Sequence, residues 1–289
     1  MKLQDLINYF ENFAPQDAQE DWDNAGLQVG DPDKEINTIV IALDPDSRAL
    51  EYCIEKDADL LITHHPLLFN SFKRLSTKDP DENKILRFIK NDIAVFSMHT
   101  NIDKMPWGTN FALADELNLS DYILEEPLLP EYELSSKTIT AEFKAQFNQK
   151  IPGFISLVNY STDRFSLMNL CEENLEAPVK VNFEDNAKAD LIAISGGSFD
   201  KDWIDKVYKA GVDTIICGEM KYHDGVDCRE RGIAVLDLGH DVSENPVTNV
   251  FRYLLDTYVH YINHNNEDDT EINYNPEIYY YPRLKKDIQ

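Results

Sequence analysis

Three short apolar runs in this chain each lead into histidine: Leu60-Leu61-Ile62-Thr63-His64-His65, Val95-Phe96-Ser97-Met98-His99 and Val235-Leu236-Asp237-Leu238-Gly239-His240. Near-continuous apolar runs of this length read as strands buried on both faces, as parallel sheets require. Parallel neighbours cannot be joined by a tight hairpin, so a crossover segment must lie between them. The sequence supplies it. Strands are predicted over Thr38 to Leu43, Asp59 to Thr63 and Ile93 to Met98, with helices over Ser47 to Lys56, Glu82 to Asn91 and Thr109 to Leu117. A less regular stretch from Pro127 to Asp190 follows, with strand-like runs such as Gly153 to Tyr160. The rhythm then returns with strands at Asp190 to Ser195, Asp213 to Cys217 and Ile233 to Leu238, and helices at Asp202 to Ala210 and Pro246 to Tyr261. The expected class is α/β with parallel βαβ units.

The two α/β stretches resemble each other. Ala58-Asp59-Leu60-Leu61-Ile62-Thr63-His64-His65 parallels Val212-Asp213-Thr214-Ile215-Ile216-Cys217-Gly218-Glu219, and Ile93-Ala94-Val95 recurs as Ile233-Ala234-Val235. Two related halves sharing a site between them would explain this; so would the general likeness of buried parallel strands. The expected division is an N-terminal half over 1–126, a second half over 127–262 and a polar tail over 263–289. In the tail, Asn263 to Thr270 reads as a solvated linker. Tyr279-Tyr280-Tyr281-Pro282 reads either as a docking segment, for instance against a neighbouring subunit, or as a frayed end.

A net charge of -26, from 27 basic and 53 acidic residues, opposes attraction to DNA, RNA or anionic membrane. A nucleotide substrate would need local neutralisation, which divalent cations supply. Cys53, Cys171, Cys217 and Cys228 have no C-x-x-C spacing and read as reduced, buried thiols. The opening residues carry acids where a secretory leader needs an apolar run, and their apolar positions 3, 6, 7, 10 and 13 form a helix stripe. No run of eighteen apolar residues occurs. The expectation is a cytoplasmic protein with no membrane span.

The C-terminal edge of a parallel sheet is where α/β proteins gather ligands, so histidines at strand ends are candidate ligands. Imidazoles and carboxylates without thiols suit a catalytic divalent cation better than a structural zinc knot. His64 and His65 point to opposite faces within a strand, yet both can reach one centre or two neighbouring ones where the backbone turns before Pro66. Alone, such a pair is more often ordinary than metallic. Asp103 could bridge two cations, with His99 and Asn101 nearby. His240 and Glu244 have the i, i+4 spacing of one helix face, although a turn or a polar helix cap would use the same residues.

Five ordered motifs carry a family resemblance: Trp22-Asp23-Asn24-x-Gly26-Leu27, Thr63-His64-His65-Pro66-Leu67, His99-Thr100-Asn101-Ile102-Asp103, Gly218-Glu219-Met220-Lys221-Tyr222-His223 and Gly239-His240-x3-Glu244. Together they resemble the Nif-three-like family, often named GTP cyclohydrolase 1 type 2 homologues, over about residues 3 to 260. The resemblance implies a two-domain α/β fold, a dinuclear metal site between the halves, and a ring-shaped homohexamer. The implied metal ligands are His64, His65, Asp103, His240 and Glu244, holding two divalent ions of Zn, Fe, Mn, Co or Ni. His99, Glu219 and His223 would be the polar neighbours that move protons in catalysis. The family commonly has a Gly-Gly pair after the aspartate motif. Here Trp107-Gly108-Thr109-Asn110 keeps one glycine, which puts the loop shape in question and leaves the ligands intact.

The implied activity is metal-dependent hydrolysis, in which metal-bound hydroxide opens the imidazole ring of GTP. Two alternatives stay open: a metal-binding or regulatory scaffold without turnover, and a two-metal phosphohydrolase. No P-loop, Rossmann glycine fingerprint or obvious guanine-reading motif is present, which keeps the scaffold reading open; the substrate is left open between a nucleotide and another small molecule.

Overall fold

A computed structural model describes residues 1–124, 153–264 and 274–283. The start of the irregular stretch expected from Pro127 and most of the polar run 263–270 lie outside the described residues. Helix α1 (Leu3–Glu11) buries Leu3, Leu6 and Phe10, as its apolar spacing requires. Then come β1 (Gly26–Val29), β2 (Thr38–Ala42), α2 (Ser47–Glu55), β3 (Leu60–Thr63), α3 (Pro80–Lys90), β4 (Ala94–Ser97), α4 (Thr100–Asp103) and α5 (Thr109–Glu116). After the undescribed segment follow β5 (Ser156–Asp163), α6 (Arg164–Leu175), β6 (Lys180–Val181), β7 (Lys188–Ser198), α7 (Ile204–Lys209), β8 (Thr214–Glu219), α8 (Tyr222–Glu230) and β9 (Ala234–Asp237). The last elements are α9 (His240–Glu244), α10 (Val247–His264) and β10 (Glu277–Tyr280). Among the described residues, no helix is long and apolar enough to cross a membrane.

The helices start where their sequences allow. Asp46 accepts a hydrogen bond from the Ala49 amide at 2.7 Å ahead of α2. Asp79 caps the Asp81 and Glu82 amides ahead of α3, whose first residue is Pro80. Side-chain acceptors here satisfy amides that have no intrahelical partner, and proline has none to lose.

The chain divides into two compact units, each around one five-stranded sheet. The first comprises, of the described residues, 1–102, 248–264 and 274–283; the second comprises 103–124 and 153–247. The boundary thus lies at 102/103, inside the expected first half, and most of α10 belongs to the first unit.

In the first unit the strand order is β1-β4-β3-β2-β10. β2, β3, β4 and β10 pair in parallel, and β1 runs antiparallel to β4. Val40, Leu61 and Val95 face α2 and α3 through Leu50, Cys53, Ile85 and Phe88. On the α1 side Phe10 meets Phe96 at 5.8 Å. Burial of each such side chain contributes roughly 1.5–3 kcal/mol. The tail tyrosines find their place in this sheet: Glu277 to Tyr280 pairs in register with Thr38 to Ile41 of the same chain. That segment, Ile278-Tyr279-Tyr280, has the β-branched and aromatic residues that strands favour, and it covers an otherwise open edge.

In the second unit the order is β5-β7-β8-β9-β6, with β7, β8 and β9 parallel and the outer strands antiparallel. One face packs on α5 and α6 through Leu113, Leu167 and Cys171; the other packs on α7 and α8 through Ile204, Val207 and Cys228.

Candidate metal centre

The ends of β3 and β4 are fixed before any imidazole is placed. Thr63 and Ser97 share a buried hydroxyl contact of 2.9 Å, and the Thr63 hydroxyl donates to the His65 carbonyl at 2.7 Å. The amides of His64 and His65 both donate to the Leu43 carbonyl, at 3.2 and 3.0 Å. One acceptor for two successive amides is the turn that lets neighbouring side chains leave the strand together.

Three imidazoles gather there. Ring centroids lie 5.0 Å apart for His64 and His65, 5.2 Å for His64 and His99, and 5.6 Å for His65 and His99. One nitrogen from each lies within 4.8 Å of the others, so the three could hold a metal ion. In each ring Nδ1 is engaged by an acceptor: the Met98 carbonyl at 2.9 Å for His64, Asp44 at 2.7 Å for His65, and Asp23 at 2.7 Å for His99. An acceptor at Nδ1 holds the proton there and makes Nε2 the lone-pair nitrogen, the arrangement that orients metal-ligating histidines.

Asp23 is itself strongly held. Burial pushes its carboxyl upward, but hydrogen bonds from His99 and Thr100 outweigh this and hold it at about 2. The Thr100 amide donates at 3.0 Å and the Thr100 hydroxyl binds the same oxygen. Asp23 therefore stays ionised and holds His99 to the first turn of α4.

The second unit presents its own donor set. α9 begins at His240, so the i, i+4 pair lies on one helix face, and His240 Nε2 is 3.1 Å from Glu244 Oε2. His240 Nδ1 faces Glu219 Oε2, at the end of β8, at 3.3 Å. Glu244 is buried, at 5% exposure. Asp237 steadies the ends of β8 and β9 by accepting from the amides of Met220 at 3.3 Å and Gly239 at 3.1 Å. Asp103 accepts from the Thr109 hydroxyl at 2.5 Å, and Asn110 accepts from the Gly196 amide at 2.8 Å. The two residues after the single glycine of the aspartate motif thus tie Asp103 and the end of β7 into the unit. His223 is exposed at the start of α8, its ring against Tyr222.

Gly196 and Gly197 were not expected to matter. Gly197 has φ +66°, and a Cβ there would collide with Glu244 Oε1; one at Gly196 would stand 2.6 Å from Thr109 Cγ2. The Gly197 amide donates to Ser243 Oγ at 3.0 Å, and that hydroxyl donates to the His240 carbonyl at 2.9 Å. The backbone thus approaches α9 more closely than any residue with a side chain could. Asp23, although part of a quoted motif, and Asp44 were also given no role from sequence. Their signal was a carboxylate near a strand end, which is common in an acidic chain. The donor chemistry within each unit, oriented imidazoles in one and His with Glu in the other, fits a divalent cation.

The family Duf34/NIF3 (NGG1p interacting factor 3) matches residues 1–269. The chain belongs to the Duf34/NIF3 family. It is similar to a protein of Clostridium perfringens named GTP cyclohydrolase 1 type 2 homolog, 33% identical over 247 residues, covering 86% of this chain and 88% of that protein. A protein of the same name from Clostridium acetobutylicum is 31% identical over 264 residues, covering 90% and 91%. Among solved structures, a Bacillus cereus protein related to NIF3 superimposes with a TM-score of 0.82 at 19% identity, over 100% of this chain and 99% of that one. That likeness supports the Duf34/NIF3 fold. The family resemblance drawn from the five motifs therefore holds.

Proposed function

We propose that this Duf34/NIF3 protein is a hydrolase using two divalent cations, with a GTP-like substrate as the names of its relatives suggest. His64, His65, Asp103, His240 and Glu244 would hold the cations. The observation that carries the reading is the acceptor behind Nδ1 of each of His64, His65 and His99, because a structural histidine has no need of a fixed lone pair at Nε2. Bound divalent cations would supply an acidified water and charge stabilisation for hydrolysis. The chain's own groups would do the rest. Glu219, half exposed and beside His240 Nδ1, orients that imidazole and can carry a proton; His99, backed by the ionised Asp23, can do the same. His223 sits on the segment after Glu219 as a third candidate.

Metal analysis of purified variants tests the ligand set: Asp103→Ala should lose more metal than His99→Ala. Incubation of the metal-loaded protein with GTP tests the reaction. Formate identifies ring opening, inorganic phosphate a phosphohydrolase, and no product a binding protein. We further propose a homohexamer on family grounds. Light scattering should give six times the 33.3 kDa chain mass, and a monomer at micromolar concentration would exclude it.

A further inference from the structure

The first unit contains a cleft of about 940 Å³, a volume suited to a small-molecule site. Trp22 and Phe69 on its wall are 59% and 51% exposed and meet edge to face at 6.0 Å. Their rings lie 6.1 and 6.4 Å from the ring of His99. Lys73 and Arg74 line the same cleft, and neither joins an ion pair among the described residues. In a chain with 53 acids and 27 bases, these two adjacent cations give the cleft a local positive charge.

The cleft is built rather than incidental. Asn24 Nδ2 donates to the Leu68 carbonyl at 2.7 Å, and Gln28 Oε1 accepts from the Leu68 amide at 3.1 Å. Gln28 Nε2 in turn donates to the Asn24 carbonyl at 2.6 Å. Two side-chain amides thus fix the backbone that carries Phe69 next to Trp22. An exposed indole face offers stacking to any flat ring, and a guanidinium beside an ammonium offers donors and charge to phosphate.

We propose that this cleft binds a nucleotide, its base stacked on Trp22 and its phosphates on Lys73 and Arg74, beside the imidazole cluster. The assignment rests on the hydrolase reading for the fate of the base, but binding needs no turnover and can be measured without metal. GTP, guanosine and tripolyphosphate would be titrated into the chelator-stripped full chain, followed by tryptophan fluorescence and calorimetry. GTP should bind more tightly than either fragment. Joint replacement Lys73→Ala and Arg74→Ala should weaken GTP about tenfold or more while moving guanosine less than about twofold. Trp22→Leu should weaken both by about tenfold and remove the fluorescence change. Equal affinity for GTP and tripolyphosphate, or GTP binding unchanged in the double variant, would overturn the proposal, as would no GTP binding by the parent chain. Metal content and product assays are run on the chain as purified, before stripping, and fail independently. GTP binding by a chain that holds no metal as purified and takes up none when divalent cations are restored would overturn the hydrolase reading and leave the cleft assignment standing.

Discussion

His64, His65 and His99 each have an acceptor at Nδ1, and the acceptors differ in kind. A main-chain carbonyl holds buried His64, while carboxylates hold His65 and His99. Only the carboxylates can be changed without disturbing a strand. Asp44→Asn keeps the shape and removes the charge from Nδ1 of His65, so metal affinity should fall roughly 10–100-fold while the melting temperature stays close to that of the parent. Competition against a chelating dye would read this, and an unchanged affinity would remove Asp44 from the site. In the second unit the sensitive position has no side chain. Gly197→Ala places a methyl group against Glu244 at φ +66°, and should cost about 1–3 kcal/mol together with displacement of Glu244. Loss of stability and of metal should appear together, and retention of either would contradict the close approach described here. The histidines were legible in the sequence because each follows an apolar run. Asp44, Asp23 and Gly197 were not, because their importance comes from segments brought together by folding.

At the scale of elements, the two sheets repeat one pattern of hydrogen bonds. Leu60 pairs with Ala94 as Thr214 pairs with Ala234, and Thr63 pairs with Ser97 as Cys217 pairs with Asp237. One residue before each first strand stands an aspartate: Asp59, whose carboxylate accepts from the amides of Asn37 and Thr38, and Asp213, whose carboxylate accepts from Asp190 and Leu191. The carbonyls of Asp59 and Asp213 accept from Ala94 and Ala234, both at 2.9 Å. General likeness of buried strands does not produce the same side-chain bond at the same place twice, so this pattern favours related halves. Replacing Asp213 by Ala leaves two strand-edge amides without their carboxylate and should destabilise by about 1–3 kcal/mol, with Asp59→Ala close to it. Denaturant unfolding would read both; a negligible effect in either would show these bonds to be incidental. The parallel strands β2, β3, β4, β7, β8 and β9 were legible to within three residues at each end, from apolar runs bounded by polar turns. β1, β6 and β10 were not, because their pairing partners are distant in sequence and β6 has only two residues.

For the whole molecule, the four cysteines set a limit on the alkaline side. All are fully buried. Burial pushes Cys53 up to about 12, with Cys171 at about 12 and Cys228 at about 11, and it holds Cys217 well above the usual thiol range, helped in the last three by nearby acidic groups. An unfolded thiol titrates near pH ~8.5, so above that pH the unfolded chain loses protons that the folded chain keeps. With fewer protons bound in the unfolded state, stability falls as pH rises. The thiol contribution is therefore fully present below about pH 8.5 and is lost progressively as pH climbs through about 11 to 12, at up to about 1.4 kcal/mol per pH unit for each thiol. Cys53→Ala should start less stable at about pH 8 because of its lost packing, and should then decline less steeply than the parent between about pH 9 and 11. Thiol-reagent labelling at pH 8 gives the companion measurement: negligible reaction in the folded protein and four thiols after denaturation. Parallel alkaline curves for parent and variant, or rapid labelling of the folded chain, would mean that these thiols are open to solvent and that the cores of both units are looser than their packing shows.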